Sequence, residues 1–359
     1  MYSEADIEAA VAAGALSPTA AEAFRAHASG ASAAPAVDEE HFRLLTGFND
    51  IFVAIAAVLL LGALMWIGGS LWNDGRFPPS PAGPLLVAAA SWGLAEYFTR
   101  RRRMALPSIV LLLAFVGAAF GACGLTAVSI IPESRFEENE PLIALVLAGS
   151  AATAAIAAWF HWRRFRVPIT VAAGAVALVG SAIALSLSGV TDPEALFLPL
   201  LFAGGIALFA LAMWWDMSDR ERMTRRSDVA FWLHLAAAPM IAHAIFNGLG
   251  VFNGNIDAGT AFGVIALYVL FAIVALAIDR RALLVSSLAY VLYAMRALFE
   301  QFGAIELNVA LTGLVIGSAL LMLSAFWHPI RRALVGNLPQ GTRRYLPVLE
   351  RLVSPQPAS

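Results

Sequence analysis

Residues 228–257 read DVAFWLHLAAAPMIAHAIFNGLGVFNGNID. The run that starts at Val229 is long and apolar enough to cross a bilayer as a helix, since about 20 residues cover the ~30 Å hydrocarbon core. Yet His234, Pro239, His243 and Asn247 lie inside it. Polar and ionisable groups are costly in hydrocarbon, so these four mark the region where function is to be sought. Pro239 removes one helical hydrogen bond and is the sequence's one sign of a broken helix.

The rest of the chain fits the same reading. Its 359 residues are 60% hydrophobic and 13% charged. A soluble domain is nearer half apolar and a quarter charged. The excess falls in blocks of span length, and such blocks must be helical because lipid offers the backbone no partners. Ten spans are expected, near 51–72, 83–99, 105–130, 141–161, 168–188, 195–215, 229–250, 258–278, 282–302 and 307–327. The fold class is therefore all-α, a polytopic transmembrane helix bundle with a short N-terminal helical hairpin. The single cysteine, Cys123, excludes an intrachain disulfide and a cysteine-based zinc site.

Three regions follow from this division. Residues 1–37 read as a helical hairpin and linker. Gly14 ends the first helix, and Ser17 with Pro18 restarts the second, serine as N-cap and proline in the first turn. Residues 29–37 are an Ala/Ser/Gly/Pro linker, and 38–50 an amphipathic lead-in. The first 45 residues lack the basic start and apolar core of a signal peptide. Residues 38–328 form the bundle, and 329–359 a basic tail with a short surface helix expected at 345–352.

Every one of the 23 basic residues is arginine, and their distribution orients the chain. Arg25 and Arg43 precede span one, and Arg100, Arg101, Arg102 and Arg103 follow span two. Arg163, Arg164 and Arg166 follow span four, and Arg220, Arg222, Arg225 and Arg226 follow span six. Arg280 and Arg281 follow span eight, and five more lie in the tail. All of these share one side; Arg76 and Arg135 lie on the other and Arg296 inside span nine. The positive-inside rule then places both termini in the cytoplasm of a multi-pass inner-membrane protein.

The segment AAVAAGALSPTAAEAFRAH, followed by an array of apolar spans, resembles the bacterial predicted membrane proteins with domain of unknown function 2157. The resemblance covers about residues 2–70. It implies a bacterial cytoplasmic membrane and carries over no activity and no site residues.

Within the membrane, His243 and Asn247 share one helix face at i, i+4. Arg296 lies as far into span nine as His243 into span seven, and both spans run the same way, so the two are expected at similar depth. Glu300 follows Arg296 by one turn, and Glu306 and Asn308 enter span ten from the same side. These six residues are the candidate substrate or ion path. The competing view is that His243 and Asn247 are interhelical hydrogen-bonding glue and Arg296 snorkels to the interface. His234 faces away from His243 and reads as a satisfied structural histidine. Glu96, Asp216, Asp219 and Asp279 sit among arginines at span ends and are expected to pair with them. Trp66, Trp72, Trp159, Trp162, Trp214, Trp215, Trp232 and Trp327 read as interfacial anchors.

No catalytic motif is complete. His243-Ala-Ile-Phe-Asn247 matches one element of the prenyl-endopeptidase-like membrane family, but Glu137-Glu138 lacks its arginine and Phe231 precedes His234 by three residues rather than four. No metal or cofactor site is indicated, and nothing suggests nucleic acid as a partner. Two readings stand: a transport or channel-like protein using the six polar residues, or a non-catalytic scaffold or sensor whose hairpin binds a cytoplasmic protein. An intramembrane hydrolase is the third. The bilayer is the partner common to all.

Overall fold

The computed structural model describes residues 7, 10–24, 48–70, 80–137, 139–222, 224–251, 257–301 and 308–349. The linker, the lead-in as far as Gly47, and the tail beyond 349 lie outside them. The chain divides into two compact units, Met1–Gly47 and Phe48–Ser359. In the first, Gly14 adopts φ +72° after a helical turn, and Ser17 Oγ accepts the Ala20 N–H at 3.1 Å. Both punctuation residues act as their chemistry suggests.

In the second unit every described element is helical: α1 (Phe48–Ser70), α2 (Ala82–Ala95), α3 (Ala105–Ile130), α4 (Glu140–Phe165), α5 (Ile169–Leu187), α6 (Pro193–Met217), α7 (Arg225–Gly248), α8 (Ala258–Ile278), α9 (Ala282–Gln301), α10 (Asn308–Ala325) and α11 (Trp327–Gly336). The turn chemistry sets several of these boundaries. Asn139, Asp192 and Asp257 each accept a backbone N–H three residues on, capping α4, α6 and α8. Pro141 and Pro193 sit in the first turns that follow, where a missing N–H costs nothing.

The first ten helices coincide with the ten apolar segments of the sequence. Seven of them (α1 and α3–α8) are long and apolar enough to cross a membrane, or eight spans if α10 and α11 count together across their 70° bend. α2 is shorter, with 14 residues before the backbone rewinds into a π-helix over Glu96–Arg101. α9 runs for 20 residues, Ala282–Gln301. The break suggested by Pro239 is absent: α7 continues through it, with Pro239 on an exposed surface. The bend falls instead near Phe326.

α7 is the central helix. Of its apolar window 56% is buried, against 17–39% for the other six long apolar helices. It packs on α5, α6 and α9, while α1–α4 pack on one another in sequence. Leu208, Ile241, Phe246, Val264 and Phe271 fill the seam between α6, α7 and α8. Close approach is set by small residues. A Cβ on Gly205 would lie 2.8 Å from Ile241 Cγ1, and one on Gly204 would overlap Val179.

The closest backbone-to-backbone approach joins α1 and α2. A Cβ on Gly68 would sit 2.5 Å from Gly83 Cα, and one on Gly83 would sit 2.7 Å from the Met65 carbonyl oxygen. Backbone cannot yield as a side chain can, so Gly68→Ala should destabilise the bundle by ~1–3 kcal/mol through overpacking. Gly62→Ala, with nothing within 4 Å of the added methyl, should leave it unchanged or slightly stabilised. Thermal unfolding of the two variants in one detergent checks this; equal melting temperatures would refute the close α1–α2 contact.

Candidate functional site

The most highly constrained chemistry lies at the arginine-rich end of α6–α8. Asp216, in the last turn of α6, has a side chain only 1% exposed. It accepts a 2.6 Å bond from Arg280 Nη2, and His234 Nε2 on α7 lies 2.9 Å from its other oxygen. A carboxylate only accepts, so this imidazole nitrogen carries the proton and donates. His234 is fully buried and Arg280 nearly so; Arg280 also donates to the Ser227 carbonyl at 3.0 Å. Three helix ends are thus tied together by one carboxylate.

Beside it stands a second carboxylate. Asp279 terminates α8 at φ +57° and accepts from Arg222 Nη1 at 2.9 Å and from Trp327 Nε1 at 2.7 Å. Arg222, itself at φ +54°, also donates to the carbonyls of Ile278 and Asp279, filling the exposed acceptors at the end of α8. Burial raises the Asp279 carboxyl, but the guanidiniums of Arg222 and Arg331 and the Trp327 N–H outweigh it and hold it below its ordinary value. Arg222 is pulled below its usual value, first by burial and then by the nearby Arg280 charge. Asp219 completes the corner by accepting both the backbone N–H and the hydroxyl of Thr224, the N-cap of α7.

The chain after α11 folds back onto this corner. Arg331 donates to the Pro347 and Val348 carbonyls, and Arg220 to those of Leu346 and Arg343. The expected helix at 345–352 is not formed over the described residues 345–349; the backbone is irregular there, and its carbonyls serve as arginine acceptors. Trp327 is no interfacial anchor either. It is 2% exposed, because its indole is drawn in by Asp279. Trp66, Trp159 and Trp214 do remain on the surface.

The six path residues divide. His243 Nδ1 is hydrogen-bonded to Tyr290 Oη on α9 at 2.9 Å, and the Tyr290 ring stacks on Phe246 at 4.5 Å. His243 and Asn247 are half-buried on α7, and Arg296 is exposed on α9. α9 packs on both α7 and α10, so the three helices are neighbours in series. Glu306 and the side chains of Glu300 and Asn308 lie outside the described residues. The structure therefore brings His243 to Tyr290, a partner the sequence reading passed over. Tyr290 stands six residues before Arg296, and a period-3.6 comparison of α7 and α9 faces offered the only signal for it.

The expected pairing of Glu96 is present and extends further. Glu96 lies on the π-helical turn, 3.3 Å from Arg100 and bonded bidentately to Arg164 of α4 at 2.6 and 2.9 Å. Nearby, His161 is fully buried among Trp92, Phe115 and Phe165, with its Nδ1 3.3 Å from Thr170 Oγ1. Among the described residues no three His, Cys, Asp or Glu side chains group to hold a metal ion. Comparison of the chain with family models, with curated proteins and with solved structures finds no match.

Proposed function

We propose that this polytopic helical protein is a transport or channel-like protein whose path runs along α7, past Asn247 and the His243–Tyr290 pair. The observation that carries the reading is that the most buried helix of the bundle bears two histidines, each bonded to a group on a neighbouring helix. Ionisable side chains on a buried membrane helix recur where ions or protons are moved. In this reading all ten helices α1–α10 cross the bilayer, the termini are cytoplasmic, and the membrane is a bacterial inner membrane. The arginine asymmetry and the resemblance to the domain 2157 proteins support those assignments. Arg296, Glu300, Glu306 and Asn308 would line the outer part of the path.

The scaffold or sensor reading draws support from one observation, the separation of residues 1–47 as a compact unit of its own. That unit would bind a cytoplasmic protein, and the bundle would serve as its anchor.

The two readings differ in whether water reaches α7. With Cys123 replaced by serine no native thiol remains. In that background, Asn247→Cys and Tyr290→Cys should react with a membrane-impermeant, charged thiol reagent at least tenfold faster than Val285→Cys, which is exposed on the outer surface of α9. If all three are equally inert, the α7 seam is dry and the scaffold reading replaces transport.

A further inference from the structure

The arginines of the two halves of the bundle are used differently. In the second half, Arg222, Arg280 and Arg331 have side chains only 14%, 4% and 5% exposed and are neutralised by Asp216 and Asp279. In the first half, the segments EYFTRRRR (96–103) and WFHWRRFR (159–166) bring seven arginines together with one carboxylate, Glu96. Their adjacency is fixed by the Glu96–Arg164 pair and by the Trp92–Phe165 ring contact at 5.1 Å. All seven arginines are exposed.

Glu96 engages only Arg164 and Arg100. Three of the other five lie by aromatic rings: Arg102 over Tyr97, Arg163 over Trp159 and Arg166 over Trp162, at 5.6, 5.1 and 5.5 Å. A ring face orients a guanidinium without neutralising it, and leaves the edges of Arg163 and Arg166 to meet an anion bidentately, while Arg102 gives Nε and Nη2 to the Tyr97 hydroxyl at 3.3 and 3.2 Å and keeps Nη1 for an anion. Tyr97, Trp159 and Phe160 are themselves 42–53% exposed, which at a helix end is the chemistry of the headgroup level. Backbone geometry adds to this. Both segments place an arginine in the left-handed region, Arg103 at φ +54° and Arg166 at φ +56°, where glycine is the usual occupant. The third such arginine, Arg222, turns this conformation to account by reaching the carboxylate of Asp279.

We infer that the paired ends of α2 and α4 form a binding site for anionic phospholipid headgroups, with Arg101, Arg102, Arg103, Arg163 and Arg166 meeting the phosphate and the exposed rings flanking the upper acyl chains. The occupant is a lipid rather than a free anion because the site joins charge to apolar rings at a membrane boundary. Juxtamembrane arginines gain most from anionic lipid when they act together. The inference is independent of whether the chain transports anything.

Native mass spectrometry of the purified full-length chain in mild detergent tests it. Phosphatidylglycerol should be retained at least tenfold better than phosphatidylcholine of the same acyl chains, and millimolar inorganic phosphate should not displace it. Arg101→Gln with Arg163→Gln should weaken phosphatidylglycerol retention roughly tenfold, while Arg135→Gln, in the short helix Glu133–Glu137 between α3 and α4, should not. If the double variant is not monodisperse, Arg101→Gln alone makes the same comparison with a roughly threefold loss. Equal retention of the two lipids, unchanged retention in the variants, or an equal loss in Arg135→Gln would overturn the site. Displacement by phosphate would show a free-anion site instead.

Discussion

Asp216→Leu should lower the stability of the folded bundle by ~3–5 kcal/mol, the largest effect expected of any single substitution at the arginine-rich end. The charge it removes is the counterion of Arg280 and the acceptor for His234, and these two side chains are 4% and 0% exposed. Without Asp216 the guanidinium keeps its charge, because arginine does not deprotonate, and it is left with the neutral Ser227 carbonyl as acceptor. The penalty is thus for an orphaned buried cation and not for a lost attraction alone. It follows that Asp216→Leu combined with Arg280→Met should recover much of the loss, since two apolar groups can replace a buried pair at little cost. The exposed pair supplies the contrast: Glu96→Gln breaks bonds just as short, but its side chain is 32% exposed and Arg164 40%, so water screens the pair and little stability should be lost. Unfolding of the unaltered protein and these three variants in mixed micelles ranks the losses. An Asp216→Leu protein as stable as Glu96→Gln, or a double variant worse than the single, would show that this carboxylate does not hold the three helices together.

Trp327→Ala should cost ~3–5 kcal/mol, the range for removing a large buried aromatic side chain. Trp327 is among the largest fully enclosed side chains and packs with Leu276, Leu283, Leu284 and Val335 where α8, α9 and α11 meet. The Arg281 guanidinium lies 4.8 Å from its ring centroid. Trp327→Phe keeps an aromatic ring in place but removes the N–H that Asp279 accepts together with part of the indole, for an expected ~1–3 kcal/mol. Trp66→Ala, on a residue 82% exposed, should leave the packed core as it was. The same unfolding assay ranks the three. If Trp327→Ala matched Trp66→Ala, the 70° turn into α11 would not be packed as described.

Some of the site was legible before any coordinates. Glu96, Asp216 and Asp279 stand within a few residues of arginines at span ends, and a carboxylate there has few other ways to be satisfied. All three are paired, as that reasoning expects. The partners were harder to read. Asp216 is 64 residues from Arg280 and 18 from His234, and no local periodicity links positions on separate helices. His234, read as a satisfied structural histidine, meets a charge through Nε2 while its buried Nδ1 has no hydrogen-bond partner among the described residues, which only the packing of α6 on α7 discloses.

The sequence by itself determined the helical segments and several of their caps, because each follows from neighbours a few residues apart or from the energetics of apolar chain in lipid. Proline shows the boundary of that reasoning. Its effect on a helix depends on what surrounds it: α7 continues as a helix past Pro239, whereas the bend near Phe326 is followed within one turn by Pro329, which cannot donate back to the Ala325 carbonyl. Only the tertiary structure decided that Trp327 is enclosed rather than interfacial, that His243 meets Tyr290, and that one half's arginines are consumed by carboxylates while the other half's remain exposed. Those outcomes depend on which helix faces meet, and hence on long-range packing that brings a charge to its partner or leaves it at the surface.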